Sequence, residues 1–265
     1  MKKLIALDQT YDFFSAKMIE DIVVLKFREN LLVRAGDLHA KGSLFEYLDM
    51  VSRSDRAKGV LIIGSPEKKG CEEYFEFYRK VFELQLDQIA IVRLYNAVNQ
   101  FILKIMELNK IVVHADSGEV IPLFLNVSLA CDYRVVAENT VFKNPCLELG
   151  LVPKGGGAFF LSKMLGRSKA LEILLSEGDI PAQEALMLGL VDNIAPRETL
   201  EKVALNIAQG FARKPSTTVA GIKKLLNYSM KDLRDFLEFE NQVLLRMKGS
   251  AGFQNQASTT NNNAP

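Results

Sequence analysis

The chain alternates short runs of apolar, β-branched residues with longer stretches whose apolar positions recur every three or four residues. Three runs stand out: Asp21-Ile22-Val23-Val24-Leu25-Lys26-Phe27, Gly59-Val60-Leu61-Ile62-Ile63-Gly64 and Ile111-Val112-Val113-His114. Val and Ile suit a pleated surface, and the second run is closed by glycine at both ends. Between the first two, Leu44 to Val51 has helical spacing. A longer helical pattern begins near Glu72, with Asp87-Gln88 marking a break. Its best stretch sets Ile91, Leu94, Val98, Phe101 or Ile102, Ile105 and Leu108 along one face. Strands separated by helices need crossover connections, which argue for a largely parallel sheet buried on both faces.

Pro122 opens another helical stretch, Ile121 to Ala130, at the position where a missing N–H costs nothing. Tyr133-Arg134-Val135-Val136 reads as a strand, and Thr140-Val141-Phe142 as a further extended piece. From about Gly155 the pattern is almost wholly helical, near 157–164, 168–175, 182–188, 198–212, 215–228 and 231–247, with Pro181, Pro196 and Pro215 as punctuation. Residues 1–195 are therefore expected to form an α/β core and 196–247 a helical region. The tail, 248–265, is rich in Ser, Thr, Asn, Gln and Gly and is expected to be disordered.

With 265 residues, 48% of them hydrophobic, the chain can bury a substantial core. A formal net charge of +1 gives no footprint for nucleic acid or an anionic membrane. The N-terminal apolar stretch ends at Asp8, short of a secretory h-region, and no run is long enough to span a bilayer. Cys71, Cys131 and Cys146 make no disulfide framework and no CxxC, so a cytoplasmic setting is expected. No cluster of Cys, His, Asp and Glu has metal-ligand spacing. Gly155-Gly156-Gly157 lacks the Lys-Ser/Thr ending of a P-loop and reads as tight packing at a helix start.

Ser128-Leu129-Ala130-Cys131-Asp132-Tyr133-Arg134-Val135 resembles the "ALACDYRVA" segment of the enoyl-CoA hydratase/isomerase (crotonase) family. The resemblance continues through Ala137-Glu138-Asn139-Thr140-Val141-Phe142, Pro145 and Leu149-Gly150-Leu151-Val152-Pro153. Farther on come Leu165-Gly166-Arg167-Ser168-Lys169-Ala170-Leu171-Glu172, Ala182-Gln183-Glu184-Ala185 and Gly189-Leu190-Val191-Asp192. It implies an α/β fold, a crotonase-like spiral of ββα units with a helical C-terminal region that packs against neighbouring subunits in trimers or pairs of trimers. It also implies an acyl group carried as a thioester of coenzyme A, with no permanently bound cofactor.

Two backbone N–H groups aimed at the thioester oxygen are the family's shared device, because enolate formation places negative charge there. By register the resemblance gives one donor to Cys71, in Lys69-Gly70-Cys71-Glu72-Glu73-Tyr74, and the other to Leu123, in Pro122-Leu123-Phe124 where relatives carry three glycines. Glycine is not required of a backbone donor, and Gly118, just upstream, is kept. The two glutamates with which relatives activate water fall at Asn126 and Cys146. Asn exchanges no protons usefully near neutrality, so ordinary hydration is not expected.

Several side chains offer substitutes, each with a plainer reading beside it. Cys146 is a nucleophile if a base lowers its pKa, with His114 as the better of two histidines, or else a buried unreactive thiol. Glu148 is a substitute base or a solvated carboxylate. Lys68 and Lys69 are placed to meet the coenzyme's phosphates; Lys154 meets an acidic acyl group or phosphate, or is a surface lysine. Asp116 and Glu119, flanking Gly118, read as surface residues, and Asp132 as an acceptor for nearby backbone donors. Two functions stay open: an acyl-CoA enzyme of altered chemistry, and a catalytically silent thioester binder or structural subunit.

Overall fold

The computed structural model describes residues 7–28, 38–65, 68–83 and 88–247. Its elements, in chain order, are β1 Gln9–Thr10, β2 Phe14–Ile19, β3 Ile22–Phe27, α1 Leu38–Arg53, β4 Gly59–Ile63, α2 Cys71–Glu83, α3 Gln88–Glu107, β5 Ile111–Asp116, β6 Glu119–Val120, α4 Pro122–Leu129, β7 Tyr133–Ala137, β8 Val141–Phe142, α5 Gly157–Leu165, α6 Arg167–Leu174, β9 Ile180–Pro181, α7 Ala182–Met187, β10 Asn193–Ala195, α8 Leu200–Ala212, α9 Ser216–Tyr228 and α10 Leu233–Met247. The tail expected to be disordered, 248–265, lies outside the described residues, as does Asp87 of the expected break.

The main sheet runs β1-β2-β3-β4-β5-β7-β10. Its pairs are parallel from β3 through β10 and antiparallel only in β1-β2-β3. A small second sheet joins β6, β8 and β9. The parallel sheet follows from the apolar runs, as does its burial. Side chains alternate across a strand, so Val23, Leu25, Val60, Ile62 and Val112 enter one core while Ile22, Val24, Leu61, Val113 and Ala115 enter another.

That second core is closed by α8. Leu200, Ala204, Ala208 and Ala212 recur every fourth residue, forming a stripe of small side chains that lets the helix lie close on the sheet. By the same alternation His114 and Asp116 share the face of Val112, beneath α1 and α3. Among the described residues no helix is long and apolar enough to cross a membrane.

Candidate active site

The Cys71 N–H begins α2, and it is already engaged: it donates to Glu119 Oε2 at 3.1 Å. Gly70 stands at φ +56°, and a Cβ built on it would lie 2.3 Å from Glu119 Oε2 and 2.4 Å from Glu119 Cβ. The glycine thus makes room for this one side chain. The other Glu119 oxygen lies 3.4 Å from Lys143 Nζ, which also pairs with Asp179 at 3.3 Å. The Asp179 and Glu119 carboxylates raise the Lys143 pKa. Burial, and then Glu119, push the Cys71 thiol up to about 11.

Pro122 opens α4, and the helix's first ladder bond runs from Leu125 N–H to Ile121 C=O at 3.0 Å. The N–H groups of Leu123 and Phe124 precede that ladder, at the positive end of the helix. Asn126 faces inward, with 1% of its surface exposed. Its Nδ2 donates to the Lys154 carbonyl at 2.9 Å. It borders a cavity of about 40 Å³ together with Lys143 and Phe142.

Cys146 is fully buried, and its Sγ lies 3.2 Å from the Tyr74 hydroxyl. Burial pushes this thiol up to about 12, and raises the Tyr74 phenol well above its ordinary value, with Cys146 adding to the rise. Glu148 is exposed. Lys69 is also exposed, 3.7 Å from Glu72. Lys68 is instead buried in an ion pair with Asp116, its Nζ 5.6 Å from the centre of the Phe124 ring. Asp116 and Lys68 therefore neutralise one another inside the protein rather than meeting solvent.

Lys154 is likewise buried, pairing with Glu240 of α10 at 2.6 Å and with Asn99. Burial lowers its pKa, against the pull of Glu240. The two Glu240 oxygens also accept the N–H groups of Gly155 and Gly156 at 2.9 and 2.8 Å. The glycine run is a helix start, as expected, capped by a distant carboxylate. Asp132 accepts Val112 N–H at 2.7 Å and pairs with Lys223 at 2.6 Å, so its acceptor role reaches beyond the backbone.

A second cavity, of about 90 Å³, opens between the sheet and the helices. Phe13, Phe27, Leu44, Phe101, Leu123 and Phe124 give it apolar walls. Lys68, Glu73, His114 and Asp116 border it as well. Glu73 Oε1 and His114 Nδ1 are buried without a hydrogen-bond partner. Burial pushes the His114 pKa down to about 4, against Asp116, so the ring is neutral at pH 7. Of the residues proposed from sequence, Leu123, Lys68 and His114 reach this cavity. Cys71, Asn126, Cys146, Glu148 and Lys69 are not among its walls.

Tyr74, Glu119 and Glu240 were not singled out as site residues by the sequence. Glu240 did leave a trace: with Asn241 it interrupts the apolar stripe of Leu233, Leu237 and Leu244. Tyr74 meets a cysteine 72 positions away, which no local pattern announces.

A largely parallel α/β core with this order of elements is the fold of enoyl-CoA hydratase/isomerase proteins. The model of the family described as "Enoyl-CoA hydratase/isomerase" matches residues 53–259, and the chain belongs to that family. A protein named "Probable enoyl-CoA hydratase, mitochondrial" from Dictyostelium discoideum is 29% identical over 185 residues, 68% of this chain and 65% of that protein. The trans-2-decenoyl-[acyl-carrier-protein] isomerase of Streptococcus mutans is 26% identical over 169 residues, 64% of this chain and 63% of its own. The matched part of the chain thus spans just under two thirds of these relatives. Among solved structures, an enoyl-CoA hydratase from Bacillus halodurans superposes with a TM-score of 0.80 at 18% identity, covering 94% of this chain and 100% of that one. One from Mycobacterium avium subsp. paratuberculosis gives 0.75 at 19%, covering 94% and 99%. At such identities the superpositions show the fold.

Proposed function

We propose that this chain binds an acyl thioester of coenzyme A and does not hydrate it. The observation that carries this reading is the state of the two positions to which the resemblance assigns proton transfer. Asn126 is bonded to the Lys154 carbonyl. Cys146 is buried against Tyr74 with its thiol protonated at neutral pH. A carboxylate pair that trades roles as acid and base is what water addition needs, and neither residue supplies one. The ligand side is better provided. The apolar cavity suits a short acyl group, and Leu123 and Phe124, which open α4, are among its walls. With Lys68 neutralised by Asp116, Lys69 is the lysine of the two left to meet the coenzyme's phosphates.

A second reading, an enzyme of altered chemistry, is favoured by Glu73 and His114. Glu73 Oε1 and His114 Nδ1 are buried at the cavity with no hydrogen-bond partner, and unsatisfied buried polar atoms at a cleft are candidates for function. A single carboxylate suffices to move a double bond, by taking a proton from one carbon and returning it to another. Glu148, exposed at the surface, is the other carboxylate this reading keeps. The backbone N–H groups of Cys71 and Leu123 would hold the thioester oxygen in either reading.

The experiment is to mix crotonyl-CoA with the protein, follow the conjugated thioester absorbance, and measure butyryl-CoA binding by calorimetry. Binding with no loss of absorbance is expected. Rapid loss would overturn the reading, and loss abolished by Glu73→Gln would establish the second one.

Assembly as a trimer or a pair of trimers belongs to the same proposal. It is supported by α9, which leaves Ile222, Leu225, Leu226 and Tyr228 more than half exposed. A cytoplasmic setting is supported by three cysteines that are all free.

A further inference from the structure

Three features of Glu119 belong together. β6 pairs in parallel with β8, with Glu119 opposite Val141, which fixes its backbone beside the start of α2. Its Oε2 accepts the Cys71 N–H, and any side chain at position 70 would collide with Glu119. Its side chain is 42% exposed, so it can leave for water without stranding a buried charge. Lys143 keeps Asp179 as a partner when it does.

The Cys71 N–H is the first of a 13-residue helix, where no carbonyl of the helix itself can accept it and where the dipole favours an anion. That is the environment an enolate oxygen needs, and in this structure a carboxylate of the same chain holds it. We infer that Glu119 is a built-in competitor for the ligand's thioester oxygen: the chain closes its own oxyanion position, and an acyl thioester binds by displacing Glu119 from the Cys71 N–H. This deepens the thioester reading and rests on it. It also names what selects the ligand. A carbonyl oxygen must displace a carboxylate, so binding depends on how much the acyl and coenzyme portions contribute elsewhere, and thioesters with short tails and no coenzyme are excluded.

The test uses the full chain, wild type and Glu119→Ala, with two readouts. Hydrogen exchange at the Cys71 amide, followed by NMR, reports whether the N–H is covered. Calorimetry with butyryl-CoA reports competition. The expected result is exchange at least tenfold faster in Glu119→Ala and an affinity at least tenfold higher. Lys143→Met, which removes the tether and keeps the carboxylate, should move both in the same direction by less. Unchanged Cys71 exchange would overturn the occupancy. Faster exchange with unchanged affinity would overturn the competition. Faster exchange with no butyryl-CoA bound by either protein would remove the thioester reading and leave the covered N–H standing.

Discussion

Lys154 of the loop before α5 and Glu240 of α10 form a buried ion pair at 2.6 Å, which ties the C-terminal helix to the start of α5 at Gly155-Gly156-Gly157. Each side chain is about 5% exposed, so neither charge has water to fall back on. Removing one partner strands the other, at a typical cost of 3–5 kcal/mol, roughly the figure for broken buried pairs in general. Glu240→Ala should therefore lower unfolding stability by about that amount, since Gly155 and Gly156 also lose their acceptor. Urea denaturation measures it. The double variant Lys154→Met/Glu240→Leu should recover more than half of the loss; equal losses in single and double variants would show the pair to be incidental.

The α/β core was legible because its central strands are continuous β-branched runs; that α8, read as part of the helical region, closes the second core against the sheet was not. The first hairpin was not. Phe14–Ile19 mixes polar and apolar residues, and its turn uses Glu20 at φ 54° where a glycine or asparagine would have signalled it. β10 is three residues long and is made a strand only by Val135 to Ala137 beside it. At the site, the identities at Asn126 and Cys146 could be read directly. What surrounds them could not, because Lys68 and Asp116, Cys71 and Glu119, and Lys154 and Glu240 are 48, 48 and 86 residues apart. Charged residues next to a glycine look like surface until the fold supplies their partners.

The three cysteines should differ sharply in reactivity. Cys131 and Cys146 are buried, with burial raising both thiols, so iodoacetamide at pH 8 should label neither until the protein unfolds. Cys71 is half-buried and its thiol is pushed up to about 11, so it should label slowly and faster with each rise in pH toward that value. Glu119 contributes to that rise because an anion nearby disfavours the thiolate. Glu119→Ala should lower the Cys71 pKa and speed its labelling at pH 8. Peptide mapping by mass spectrometry identifies the labelled residue, and fast labelling of Cys146 in the folded protein would contradict its burial.

His114 predicts an acid-side loss of stability. Its folded pKa is depressed from 6.5 to about 4, so between those values the unfolded chain binds a proton that the native state does not. Stability is complete above 6.5 and falls as pH drops through the window, by about 1.4 kcal/mol per pH unit and about 3 kcal/mol in all. The comparison is between wild type and His114→Asn, by urea denaturation at several pH values from 7 to 4. The variant should lose about 3 kcal/mol less across the window; parallel curves would mean that the ring takes up its proton in the native state as readily as in the unfolded chain.

Leu225 and Leu226 are 76% and 67% exposed on α9, with Ile222 one turn before them. Apolar side chains at i, i+3 and i+4 form one stripe, and such a stripe left in water on a helix that buries only Lys223 of its own fits a surface that another copy covers. Leu225→Glu would place a charge at the centre of that stripe, where burial against an apolar partner is costly. Light scattering should find a trimer or a pair of trimers in the wild type and a smaller particle in Leu225→Glu. The separated subunit should keep the wild-type far-UV circular dichroism spectrum, because Leu225 makes no part of the chain's own core. A wild type that is monomeric at micromolar concentration would refute the assembly.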